Sequence, residues 1–346
     1  MPRRKVFLPV VACAAFVATA ALQPVRAADP TLIAAAQKEG HVTWYTTQIV
    51  NQFVAPAVAA FEKKYGIKVD YVRADPNVIV LRIWNEAKAG RVQADVFDGS
   101  PTLAGIRKVG LVEPWLPDEA RRLPEEDHDP QGYWAATNLY VLTPAFNTNL
   151  VPKGSEPRAY ADLLDPKWKG RIAWSSQLTV PAGAGFIGIV LASMGEDKGM
   201  DYLRRLAAQN ITNVGVSARE VLDQVISGEY AIALQTFNNH SVISAAQGAP
   251  VAWIPMNPAL AYFSVVGLIK GAAHENAAKL LIDFLMSKEG QVLYRDADYM
   301  PVDPDVPPRV ADLRPDGKTF TSIKLTPEAI ADQLDGWVKI YNDLFK

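Results

Sequence analysis

The chain has one cysteine in 346 residues, Cys13, and only four histidines. Cys13 falls inside an N-terminal leader: a basic Arg3-Arg4-Lys5, an apolar Val6–Leu22, and Val25-Arg26-Ala27 with small residues at the −3 and −1 positions. This pattern predicts export with cleavage after Ala27. A chain cut there has no cysteine, which excludes disulfides, thiolate metal centres and a cysteine nucleophile. Two other readings of the leader stay open. Val10-Val11-Ala12-Cys13 loosely resembles a lipoprotein box, and the apolar run could anchor the chain. That run is about 17 residues long and contains Pro9, against the ~20 residues a span needs. No later run is long and apolar enough to cross a membrane.

A basic block is also missing. The formal net charge is −2, and removing a leader with four basic and no acidic residues takes it to −6. Such a chain is a poor nucleic-acid binder. HExxH, GxSxG, Walker A and internal repeats are absent. His41, His128, His240 and His274 are scattered, and no Asp or Glu pair has a recognisable acid/base spacing. The expectation is a binding protein rather than an enzyme, with no cofactor and no metal.

What is present is alternation. Length alone argues for two lobes of ~100–200 residues. Leu32–Glu39 reads as a helix closed by Gly40, and His41–Tyr45 alternates like a strand. Phe53, Val54, Ala57, Val58, Phe61 and Tyr65 recur at helical spacing up to Gly66. A strand through Ile67, Val69 and Tyr71, a helix over Val78–Ala89 closed by Gly90, and a strand at Ala94–Phe97 follow. This is βαβαβ spacing and predicts a mainly parallel sheet covered by helices. Gly132–Leu150 is a long strand-like run that predicts a first crossover to a second lobe, and Tyr262–Leu268 predicts the return. The expected division is 28–138 plus 263–304 for one lobe and 139–262 plus 305–346 for the other. Hinges are expected near Leu139–Pro144 and Tyr262–Val266.

In such sheets ligands sit beyond the carboxyl ends of the strands, where helices begin. The loops placed there supply the candidate binding residues: Thr46 and Thr47, Ser100, Ser175 and Ser176, Asn238, Asn239 and His240 within the loop Gln235–Ser241, with Tyr262 close by. Ser100 reads as an N-cap with Pro101 at N1, so Ser100 and Thr47 could cap helices or hold a ligand. Arg219 lies in the first turn of a helix opened by the capping box Ser217-Ala218-Arg219-Glu220. It is either a surface residue or an anion clamp. His240 could donate a hydrogen bond or ligate a metal. Trp44, Trp174 and Phe237 could stack on an organic body or belong to the core. Gly183-Ala184-Gly185-Phe186-Ile187-Gly188 matches the dinucleotide fingerprint letter for letter. However, Pro181 and several loop residues separate it from the preceding strand, and no acid stands about 20 residues on. Close helix packing explains the glycines better.

Tyr160-Ala161-Asp162-Leu163-Leu164-Asp165-Pro166-Lys167-Trp168-Lys169-Gly170-Arg171-Ile172-Ala173 resembles a segment of the iron-type periplasmic solute-binding proteins of ABC importers. So do the crossover closing on Phe146-Asn147-Thr148, the strand Ala94–Phe97, the run from Gly267 to Leu285, and Ser287-Lys288-Glu289-Gly290-Gln291. The resemblance covers nearly the whole exported chain. It implies a type 2 periplasmic-binding fold with two crossovers, an inner-membrane permease as partner, and work as a monomer. In the ferric branch two adjacent tyrosines after the Gly-Glu strand bind iron, with a histidine and a glutamate from the first lobe. Here those places hold Asn238-Asn239-His240-Ser241, Thr46-Thr47 and Ser100. Ferric iron wants anionic oxygen, which this set does not supply. Other branches bind aminoalkylphosphonates, sugar phosphates, thiamine or polyamines. The expected cargo is a small organic anion, a phosphonate, phosphate ester or carboxylate. Ferric iron with a synergistic anion is the alternative. A secreted hydrolase and a transcription-regulator effector domain are remoter ones.

Overall fold

The computed structural model describes residues 29–346; Cys13 and the cleavage site after Ala27 lie outside the described residues. Among the described residues no helix is long and apolar enough to cross a membrane.

The first half alternates as its spacing predicts. α1 (Pro30–Glu39) leads into β1 (His41–Thr46); a π-turn at Val50–Val54 and α2 (Ala55–Tyr65) lead into β2 (Lys68–Arg73); α3 (Pro76–Lys88) leads into β3 (Val96–Asp98) and α4 (Ser100–Arg107). Gly40 and Gly66 take left-handed conformations at the ends of α1 and α2, which side chains with a Cβ disfavour. A short β4 (Val112–Glu113) precedes the long strand β5 (Ala135–Asn147).

The second half repeats the scheme. β6 (Ile172–Ser175), α5 (Gly183–Met194), α6 (Glu196–Ala207), β7 (Thr212–Val214), α7 (Ala218–Ser227), β8 (Ile232–Phe237), α8 (Asn238–Ala246) and β9 (Val251–Trp253) follow in order. The second long strand, β10 (Ala259–Ile269), returns to the first half. There α9 (Glu275–Met286), α10 (Lys288–Asp296) and β11 (Met300–Pro301) pack. β12 (Ser322–Leu325) and α11 (Pro327–Phe345) complete the chain.

The strands join in the order β2-β1-β3-β10-β5-β8-β6-β7. Pairing is parallel for β1 with β2 and β3, and for β6 with β7 and β8. The two crossovers pair with each other antiparallel, from Leu260 opposite Leu142 to Val266 opposite Ala135. All eleven residues of β10 are buried. One apolar core, with Trp44, Phe53, Phe97 and Phe284, lies on the first-half strands; a second, with Trp168, Trp174, Phe186 and Trp337, lies on the second-half strands. Leu313 and Phe320 pack into the first core, whereas Trp337 and Tyr341 of α11 pack into the second, as the helical spacing of Ile330, Leu334, Trp337 and Tyr341 requires.

Two local expectations are corrected. Gly99 (φ 93°), not Ser100, caps α4; Ser100 is its first helical residue and donates to Phe263 O at 2.5 Å. A left-handed cap suits glycine, and it frees the serine hydroxyl to reach across to β10. The loop Gln235–Ser241 is not a loop. β8 runs to Phe237 and turns directly into α8 at Asn238, so Asn238, Asn239 and His240 form a helical first turn.

The capping box of α7 forms as read: Ser217 Oγ accepts from Glu220 N at 3.3 Å, and Glu220 Oε2 accepts from Ser217 N at 2.9 Å. Ser217→Ala should cost about 1 kcal/mol. Urea denaturation should show the midpoint lowered with an unchanged slope.

Candidate functional site

The carboxyl ends of β1 and β3 meet around one buried carboxylate. Asp98 Oδ1 accepts from Thr47 N at 2.7 Å and from Thr47 Oγ1 at 2.6 Å, and Asp98 Oδ2 accepts from Thr46 Oγ1. Burial raises Asp98 to about 6, against hydrogen bonds from both threonines that pull it down. The loop after β1 is therefore clamped by its own hydroxyls. An added Cβ on Gly99 would sit 3.0 Å from Thr47 Oγ1, so the glycine lets the two loops close on each other.

Beside this clamp, Gln48 joins the first half to both crossovers. Its Nε2 donates to Ser264 Oγ at 3.0 Å, and its Oε1 accepts from Tyr140 OH at 3.4 Å. Tyr140 on β5 packs against Phe237 at 5.1 Å, Tyr262 at 5.3 Å and Tyr299 at 6.0 Å between ring centroids. Burial pushes the Tyr140 hydroxyl up to about 12 and those of Tyr262 and Tyr299 higher still. All three are neutral phenols at ordinary pH.

On the second-half side, Ser175 Oγ donates to Val216 O at 2.5 Å and Ser176 Oγ to Val214 O at 3.1 Å. Asn238 Nδ2 donates to Leu313 O at 3.1 Å, and Asn239 Nδ2 to Asp298 O at 3.1 Å. His240 packs on Phe237 with centroids 4.8 Å apart. Its Nδ1 is buried with no hydrogen-bond partner among the described residues. Burial, then the nearby Arg219 charge, hold His240 down to about 4, so the imidazole is neutral. Arg219 is 41% exposed and donates to Asp223 Oδ1 at 2.7 Å and Ser244 Oγ at 3.0 Å.

The structure thus brings Thr46, Thr47 and Ser100 together on one side, Asn238, Asn239 and His240 together on the other, and Tyr262 between them. Most of their side-chain donors are already spent inside the protein. Trp44 and Trp174 are fully buried, which assigns both to the cores and removes them as stacking surfaces. Phe237 is only partly buried and faces Tyr140 and His240. Reading the sequence missed Asp98, Gln48, Tyr140 and Tyr299. Asp98 was findable: an acid at the carboxyl end of a buried parallel strand, directly before Gly99. Nothing local marks the other three, whose proximity is made by the crossovers.

A further shared feature is what these helices lack. Asp29, Ser217, Ser287 and Thr326 cap α1, α7, α10 and α11 with side-chain oxygens. The helical segments that begin beyond β1, β3, β6 and β8 have Ile49, Gly99, Ala182 and Phe237 at the cap, and none makes a side-chain cap hydrogen bond; α3, α6 and α9 also lack one, so what sets these four apart is their place at the strand ends. Each leaves first-turn N–H groups without a cap and the positive end of a helix at the strand ends. A small, partly open cavity of about 20 Å³ lies here, lined by Asn238, Asn239, Leu139, Tyr299 and Leu313. A larger surface concavity, about 530 Å³, is elsewhere, among Glu156, Arg158, Asp162, Lys167 and Arg205. It is an open surface of charges, several of them paired with one another, and touches none of the strand ends.

Residues 93–325 match the family model described as bacterial extracellular solute-binding protein. A putative 2-aminoethylphosphonate-binding periplasmic protein of Salmonella typhimurium is 29% identical over 287 residues, 78% of this chain and 77% of that one. The major ferric iron-binding protein of Neisseria meningitidis serogroup B is 27% identical over 278 residues, covering 75% of this chain and 80% of that one. In three dimensions the chain is similar to the periplasmic binding protein AfuA of Actinobacillus pleuropneumoniae, with a TM-score of 0.71 at 23% identity, over 89% of this chain and 99% of that one. The two parallel half-sheets joined by antiparallel crossovers are the type 2 periplasmic-binding fold. The chain belongs to the bacterial extracellular solute-binding protein family, and is a periplasmic substrate-binding component of an ABC transporter.

Proposed function

We propose that this chain captures a small organic anion bearing a phosphonate, phosphate-ester or carboxylate group at the strand ends, between a lobe of 28–138 plus 263–304, on whose core Leu313 and Phe320 also pack, and a lobe of 139–262 with the rest of 305–346. The observation that carries this reading is the position of four helical starts at the carboxyl ends of β1, β3, β6 and β8, none of them closed by a side-chain cap. Uncapped N–H groups at positive helix ends favour an anion, and phosphonate oxygens accept from several at once. The Asp98 clamp and the internal bonds of Ser100 and Ser175 make these residues positioning groups that aim backbone N–H groups. The ligand's other contacts come from Asn239, His240, Tyr262 and Phe237, while Ser176, whose hydroxyl and backbone N–H both donate to Val214 O, orients the loop after β6. Arg219 supplies positive charge from the rim, and the neutral His240 offers Nδ1. The Salmonella relative named for 2-aminoethylphosphonate supports a phosphonate. Lobe movement about Leu139–Pro144 and Tyr262–Val266 would admit the ligand. The protein works as a monomer, hands its cargo to a permease, and catalyses no reaction.

Ferric iron is the second reading, favoured by the Neisseria relative and by the cluster Tyr140, Tyr262, Tyr299. Against it, the strand-end positions hold the neutral Thr46, Thr47, Ser100, Asn238 and Asn239, whereas ferric iron favours anionic oxygen ligands.

Calorimetry on the ligand-stripped chain separates the two. 2-Aminoethylphosphonate or fructose 6-phosphate should bind without iron, and saturation at about 100 times Kd should add roughly 2.7 kcal/mol of stability. A response only to ferric citrate, with none to citrate, would sink the organic-anion reading. Arg219→Ala and the pair Ser176→Ala with Asn239→Ala should each weaken the bound anion about tenfold, or ~1.4 kcal/mol, with the free protein still folded by far-UV circular dichroism. Unchanged affinity removes the substituted residues from the site.

A further inference from the structure

Three ligating side chains converge at the opposite end of the first-half sheet, away from the loops just described. His41 opens β1, Asp95 immediately precedes β3, and His274 sits at the N-cap of α9. One nitrogen from each histidine and one Asp95 oxygen all lie within 4.8 Å of one another. The imidazoles meet edge-on with centroids 4.9 Å apart. β1 is six residues long, so this cluster lies about 16 Å from Thr46 at ~3.3 Å per residue.

We propose that His41, Asp95 and His274 form a site for a divalent cation of the zinc class. Asp95 is the anchor. It is fully buried, and its carboxylate is held rigid by Thr43 N at 2.8 Å and His274 N at 3.0 Å. His274 Nδ1 faces Asp95 Oδ2 at 3.0 Å, so a metal joins this pair by taking the place of the proton between them. His41 Nε2 lies 3.0 Å from Asp70 Oδ2. That leaves Nδ1 for the metal and gives His41 the carboxylate partner that metal-binding histidines usually have. Both histidines are about one-third exposed, at 33% and 31% for their side chains. They can turn the ~1 Å needed to reach zinc at about 2.0–2.2 Å, and water completes the coordination. Two imidazoles and one carboxylate select zinc, cobalt, nickel or copper over magnesium and calcium, which want oxygen alone. A bound ion would tie the starts of β1, β3 and α9 together. Its binding free energy then becomes stability of the first half.

The test is zinc titration into untagged, chelator-stripped protein by calorimetry in a non-coordinating buffer, beside a magnesium control. One zinc per chain at about 10 µM or tighter is expected, with no magnesium binding. His41→Ala and His274→Ala should each weaken zinc at least about tenfold, with far-UV circular dichroism unchanged. If a variant does not fold, cobalt binding to the unsubstituted chain decides instead, since imidazole–carboxylate coordination gives cobalt visible bands. No zinc uptake at about 1 mM, or zinc binding equal in folded variants and parent, would overturn the site. Because zinc and the organic anion are titrated separately, failure here leaves the capture reading untouched.

Discussion

Gly185→Ala should be the most damaging single-methyl change in the second half, lowering stability by about 3 kcal/mol or more. Gly185 lies in the first turn of α5, where an added Cβ would stand 1.9 Å from the carbonyl oxygen of Val180 and 2.8 Å from its carbon. A flexible side chain could yield to a methyl group, but this obstacle is main chain. Val180 itself is buried, inside the turn closed by Ala182 N on Thr179 O that leads into α5. Over-packing ordinarily costs about 1–3 kcal/mol because side chains shift rotamer. Here α5 has to move away from residues 180–182, and the same helix carries Gly183 against the Trp174 ring and Gly188 against the Trp337 ring. Thermal denaturation of Gly185→Ala and of the exposed control Gly215→Ala, which meets nothing, decides the matter. Equal melting temperatures would show that the close contact is relieved without cost. The same glycines mimic a dinucleotide fingerprint. Their close approaches to Trp174, Val180 and Trp337 account for them as packing residues.

Asp98→Asn should change how stability depends on pH. Asp98 titrates near 6 in the folded protein because burial disfavours its charge, against an ordinary value of 3.8. A raised carboxyl pKa means that the folded state holds its proton when the unfolded chain has lost it. The stability due to the neutral form is complete below about pH 4 and is lost as pH rises through about 6. A shift of roughly two units corresponds to about 3 kcal/mol. Asparagine keeps an oxygen for Thr47 N and Thr47 Oγ1 and carries no charge. The free-energy difference between the parent and the Asp98→Asn variant should therefore move in favour of the variant by about 3 kcal/mol between about pH 3 and 8. Urea denaturation across this pH range measures it, and parallel curves for the two proteins would refute the assignment. Asp98→Ala gives a second comparison, since it strands Thr47 N without an acceptor and should loosen the loop that aims Thr46–Gln48.

Much of the fold was legible because it is written locally. Gly40 and Gly66 end helices through their backbone freedom, Ser217 and Glu220 start one through paired hydrogen bonds, and the buried strands are continuous apolar runs. The candidate site was legible only as a set of loops at strand ends. Hydroxyls and amides in those loops suggested direct ligand contacts, yet Ser100 donates to Phe263 O, Ser175 to Val216 O and Asn238 to Leu313 O. Their partners lie from 41 to 163 residues away, so no local pattern could reveal that these donors were committed.

By itself, then, the sequence determined the alternating βαβ order, the two long crossovers, the helix ends, and through its motifs the family. These depend on backbone preference and on periodicity within about ten residues. Tertiary structure alone decided which polar groups remain available. It placed Asp98 under Thr46 and Thr47, set Tyr140 between Gln48 and Phe237, left Nδ1 of His240 without a partner among the described residues, and gathered His41, Asp95 and His274 at the far end of the sheet. The reason is physical: a side chain's hydrogen-bonding and charge state depends on neighbours that only the folded crossovers bring within reach.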